Sequence, residues 1–76
     1  SYQEQKDYET IEAQIGELEE RISALEEQIA KAARDYAKLN GLMLEKEEAE
    51  AALEEKMERW MYLEELAAKI TAEKID

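Results

Sequence analysis

Three observations predict an all-α fold, specifically an antiparallel two-helix coiled-coil hairpin. The 76 residues include no proline and two glycines, 41% are charged, and Ala, Glu, Lys and Leu dominate; long helices have this composition. In each half, apolar residues recur at alternating spacings of three and four. Between the halves the frame of that pattern shifts, which marks a chain that turns back rather than one continuous rod. Strand formers are scarce, with no valine, no phenylalanine and two threonines. This length suits one small domain, 1–76. The chain begins without methionine and is expected to be a piece of a larger protein.

Helix one is expected over about residues 3–33. Tyr8, Ile15, Ile22 and Ile29 form one apolar row, and Ile11, Leu18, Leu25 and Ala32 the other. These are the a and d positions of an unbroken heptad. Glu17–Arg21 and Glu27–Lys31 are spaced as i,i+4 pairs on the wet face.

The turn is expected within about residues 33–41. Asn40-Gly41 is the strongest local signal, because both residues tolerate the left-handed conformation that ends helices. Asp35 is the rival, as a cap for a helix starting at Tyr36.

Helix two then runs to about residue 74. Its rows are Leu39, Leu53, Trp60 and Ala67, and Leu42, Ala49, Leu63 and Ile70. Lys46 and Lys56 interrupt them, and Met57, one residue off, is placed to fill in. Glu55–Arg59 and Glu65–Lys69 are the i,i+4 pairs of this helix. The hairpin should be roughly 45–60 Å long at 1.5 Å per residue.

Two registers satisfy the pattern. One pairs Tyr8 with Ile70, Ile15 with Leu63, Leu18 with Trp60 and Leu25 with Leu53. The other, slipped by one heptad, pairs Tyr8 with Leu63, Ile11 with Trp60, Leu18 with Leu53 and Ile29 with Leu42. Periodicity does not choose between them. In both, Trp60 is a core residue, as aromatic side chains at helical spacing usually are. Met61 and Tyr62 flank the seam partly exposed, and Tyr2 is placed to cover one side of that end.

Catalysis by this chain is not expected. It has no histidine and no cysteine, and Gly16 and Gly41 stand alone rather than in a phosphate loop. Carboxylates on an exposed helix face stay solvated and find no apolar pocket to raise a pKa. No catalytic, cofactor or metal site is expected, and without cysteine no disulfide forms. No apolar run approaches the ~18 residues that span a bilayer, so no membrane insertion is expected.

The net charge of −11 repels nucleic acid and anionic membranes on average, but it is unevenly spread. Residues 9–27 carry seven glutamates and one arginine, and residues 45–58 carry seven glutamates and two lysines. Between them, residues 30–40 hold Lys31, Arg34 and Lys38 against Asp35 alone. The shaft is acidic and the tip basic. Such cations can simply complement a helix C-terminus. They can also touch phosphates while the acidic shaft stays clear, with Tyr36 adding a stacking surface and Lys46 further up the shaft as a fourth cation.

The segment "SYQEQKDYE" resembles the SYKEQ-type opening of the C-terminal domain of Uup-like ABC-F ATPases. "EEKMERWMYLEEL" resembles that domain's ERW–x–x–L signature, and "ARDYAKL" its turn region. The likeness covers essentially the whole chain in the same order. The flanking motifs are specific, while the Glu/Leu heptads between them are not. The resemblance implies a cytoplasmic parent with two ATP-binding cassettes and no membrane domain, acting on the ribosome in translation. It implies ATP and Mg²⁺ for the parent only, since the nucleotide sites lie upstream. It implies a coiled-coil hairpin associated with DNA binding, which turns near Ala33 to Asp35 and so sets Trp60 against Ile11. Trp60, Leu63, Ile11, Leu18 and Leu53 then form its core signature.

The expected partners are DNA or ribosomal RNA at the tip and the parent's own ABC domains, with the chain a monomer or weak homodimer. The chain is less cationic than a DNA-binding relative should be, so contact must be local, through Lys31, Arg34, Lys38 and Lys46. The alternative is a structural spacer or oligomerisation coil, because Ile and Leu seams also pair between chains. A lipid-surface helix is excluded, since neither helix has a basic polar face.

Overall fold

Two helices account for almost all of the computed structural model, which describes residues 1–74: α1 (Tyr2–Ala32) and α2 (Tyr36–Lys74). The last two residues of the expected 1–76 domain lie outside the described residues. The helices lie antiparallel in a rod of 63 × 15 × 15 Å. That length is close to the ~58 Å spanned by a 39-residue helix.

The start of α1 is fixed by a capping box. The Ser1 hydroxyl accepts from the Glu4 amide at 3.2 Å, while the Ser1 amino group donates back to the Glu4 carboxylate at 2.9 Å. Two amide-end donors are satisfied reciprocally in this way. The Ser1-x-x-Glu4 spacing is the sequence signal for it.

Only Ala33, Arg34 and Asp35 separate the helices. The Asp35 amide donates to the Ala32 carbonyl at 2.7 Å, and its own carbonyl accepts from the Leu39 amide at 2.8 Å. Its side chain accepts from the Lys38 amide at 3.2 Å. Asp35 is thus the N-cap of α2. Asn40 and Gly41, the stronger local turn signal, lie inside α2. A mid-helix glycine costs about 1 kcal/mol, less than the layer formed by Leu39 and Leu42 contributes.

The core is thin and continuous. Leu25, Leu42 and Ala49 form one buried cluster, with Ile22, Ile29 and Ala32 packed against it. Ile11 and Leu63 are buried near the other end. Tyr8 and Leu63 line the same hollow at that end, and the Tyr8 hydroxyl reaches Glu64, so the register is the one in which Tyr8 faces Leu63. The ion pairs along one flank, Asp7 with Arg59 and Arg21 with Glu45, fit the same register.

The four expected i,i+4 pairs do not form. Arg21 turns to Glu45 at 3.5 Å and Arg59 to Asp7 at 3.2 Å, each across the seam. Glu27–Lys31 and Glu65–Lys69 make no ion pair, consistent with exposed pairs being worth only tenths of a kcal/mol against side-chain entropy. Met57 does not fill the seam where Lys46 and Lys56 interrupt it; it stays 46% exposed on the flank. The two lysines are themselves half-buried on the seam, their stems lying along apolar surface. Tyr2 is exposed and lies along its own helix beside Gln5, Lys6 and Glu9 rather than on the seam.

Candidate functional site at the tip and the base

The two ends of the rod differ in chemistry. At the base, residues 52 to 58 apart in sequence are hydrogen-bonded across the seam. The Arg59 guanidinium donates to Asp7 at 3.2 Å and lies 5.1 Å from the Tyr62 ring centroid. The Tyr62 hydroxyl donates to Glu4 at 2.5 Å, and the Tyr8 hydroxyl to Glu64 at 3.2 Å. Each bond joins the opening segment "SYQEQKDYE" to "ERWMYLEE".

This clamp shifts the protonation of its members. Glu4 is held down to about 2, first by the Tyr62 hydroxyl and then by the Ser1 ammonium. Tyr62 and Tyr8 are pushed up, because their hydrogen bonds to Glu4 and Glu64 require the neutral phenol. The signal in the sequence was the pairing of opposite charges beside the seam, Asp7 with Arg59. It becomes visible only once a register is chosen.

The residues of the apolar signature fall along this half of the rod. Ile11 and Leu63 are buried, at 1% and 2% exposure. Leu18, Leu53 and Trp60 are half-buried. The Trp60 indole N–H is shielded from solvent and meets no acceptor, so the ring packs rather than recognises by hydrogen bonding.

At the tip, Lys31 ends α1, Arg34 is in the turn and Lys38 is in the first turn of α2. All three are exposed, and among the described residues none is ion-paired. Tyr36 stands beside them, 71% exposed. Lys46 is not brought to the tip. It is half-buried on the shaft with its ammonium 4.0 Å from Glu26.

A family model described as the ABC transporter C-terminal domain matches residues 1–65. The chain belongs to that family. An ABC transporter C-terminal domain is the appendage of an ABC ATPase, and the ATPase catalysis resides in other domains. Over 63 residues, 83% of its length, this domain is also 40% identical to an uncharacterized ABC transporter ATP-binding protein, YfmR, of Bacillus subtilis (strain 168). It spans 10% of that relative. No solved structure matches it with significance. Among the described residues, no helix of this C-terminal domain is long and apolar enough to cross a membrane.

Proposed function

We propose that this domain is a nucleic-acid-contacting appendage of a cytoplasmic, Uup-like ABC-F ATPase. In that reading it binds DNA or ribosomal RNA weakly and without sequence preference through its tip, while ATP and Mg²⁺ serve the parent's other domains. One observation carries it. Lys31, Arg34 and Lys38 cluster at the tip with Asp35 as the sole carboxylate among residues 30–40 and, among the described residues, make no ion pair. By contrast, Arg21 and Lys46 on the shaft and Arg59 at the base are each held by a carboxylate. The other unpaired lysines, Lys6, Lys56, Lys69 and Lys74, have acidic residues close by in the sequence.

Helix stability accounts for Lys31, which sits at the negative end of α1's dipole. It does not account for Lys38, which sits at the positive end of α2's, where a cation costs about 0.3–1 kcal/mol. The rod separates these cations from the glutamate-rich shaft, so a phosphate backbone can approach end-on. The seam is filled by the chain's own second helix, which favours a monomer or weak dimer over an oligomerisation coil.

Titration with duplex DNA and with a structured RNA, at low and moderate salt, tests this. Three phosphate contacts give a salt slope of about −2.7, about a 40-fold loss between 50 and 200 mM. Changing Lys31, Arg34 and Lys38 together to alanine should abolish binding, while Lys46→Ala should change it little. Unchanged affinity in the triple variant would sink the proposal.

A further inference from the structure

One long side of the rod carries an open groove of about 630 Å³ between the helices. Its floor and walls are Ile22, Leu53, Met57 and Met61, the two methionines 46% and 58% exposed. Its rim is Glu19, Glu50, Glu54 and Glu58, and no cation lines it. A smaller hollow between Ile15 and Trp60 shares Met57 and continues the apolar strip toward the base, again beside a glutamate, Glu12. From Glu50 to Met61 the groove follows α2 for about 17 Å, three helical turns.

We propose that this groove docks a cationic amphipathic helix. Unbranched methionines adapt to varied apolar side chains, and an amphipathic helix laid in a groove presents anchors at i, i+3, i+4 and i+7. The all-acidic rim selects the charge of the flanks that flank those anchors. It also disposes of the other occupants. A second copy would set its own four rim glutamates against these, adding to the mutual repulsion of two chains of −11. Phosphates of a nucleic acid or an anionic membrane meet the same repulsion. The surface is separate from the basic tip, so it can be tested independently of nucleic-acid binding.

Trp60 is the only tryptophan and borders the continuation of the groove, which makes it the reporter. The chain is titrated with a tryptophan-free Leu/Lys peptide of about 14 residues, four turns with helical apolar spacing. A peptide of the same composition in scrambled order, and a Leu/Glu peptide of the same spacing, are run in parallel. The amphipathic Leu/Lys peptide should bind saturably and shift Trp60 emission. The scrambled peptide should bind about tenfold more weakly, and the acidic peptide should not bind.

Met57→Gln with Met61→Gln should weaken binding about tenfold, with helicity retained because both side chains are exposed. Glu54→Gln with Glu58→Gln should weaken it and flatten its salt dependence. Met43→Gln with Leu44→Gln, exposed elsewhere on α2, should leave it unchanged. Equal binding of the scrambled peptide, or undiminished binding after the Met57 and Met61 changes, overturns the proposal. So does self-association in sedimentation that the methionine changes abolish, since the groove would then belong to a second copy.

Discussion

Ile11→Ala and Ile70→Ala remove the same atoms from two positions that the heptad pattern treats alike, yet the structure separates them. Ile11 is 1% exposed and Ile70 43%. Truncating Ile11 withdraws about three buried carbons, roughly 2.4 kcal/mol at ~0.8 kcal/mol each. The cavity contribution should be small, because a two-helix seam is open on both flanks and can close over the gap. The expected cost is therefore about 2–3 kcal/mol, near the low end for such substitutions. Against a total stability of about 4–11 kcal/mol for a domain of this size, that is a large fraction. It corresponds to a fall in Tm of about 10–20 °C. Ile70→Ala should cost under about 1 kcal/mol. Urea and thermal denaturation followed by far-UV circular dichroism measure both, with unchanged m-values confirming that the unfolding transition is the same. Equal costs for the two variants, or an Ile11 cost below about 1 kcal/mol, would refute the burial gradient derived for the seam.

Gly41→Ala should stabilise the domain by about 0.5–1 kcal/mol in the same assay, because Gly41 is inside α2 and an added Cβ meets nothing within 4 Å. A loss of stability would instead place the turn at Asn40-Gly41. Asp35→Ala, removing the cap on the Lys38 amide, should cost about 1 kcal/mol, and Asp35→Asn much less. Glu4→Gln should lower Tm at pH 7. The folded carboxyl is depressed from 4.5 to about 2, so its contribution is complete above about 4.5 and is lost as pH falls toward 2. The gap between Glu4→Gln and the parent chain should close over that window, and a gap that persists at pH 2 argues against the charge. For Tyr62 the direction is opposite: its pKa is raised by Glu4, so its contribution is present below pH 10 and disappears as pH rises through the folded value. Tyr62→Phe should therefore converge with the parent chain in alkaline melts.

Composition and the three-four spacing were enough to determine two long helices with apolar stripes to bury, and the shift of frame between them pointed to a hairpin. Pairing between chains would bury the same stripes; the three-residue turn after Ala32 makes the partner helix the chain's own. The basic tip and acidic shaft were equally legible, since charge order along a hairpin is charge order along the sequence. Less was visible where geometry converts sequence distance into contact. Glu55–Arg59 has ideal i,i+4 spacing, but Arg59 is committed to Asp7 across the seam, and Lys46 to Glu26. Lys46 thus leaves the group of free cations that charge counting had put together.

The sequence by itself determined the fold class, the polarity of the two ends and the family motifs. The tertiary structure decided the register, the turn and the partners of the charged residues. Heptads repeat every seven residues, so slipping one helix by a heptad preserves every apolar match. Turn and register are one decision in a hairpin. The three-residue turn capped by Asp35 sets Tyr8 against Leu63, and this alignment brings "SYQEQKDYE" onto "ERWMYLEE" at the base while leaving three unpaired cations at the far end.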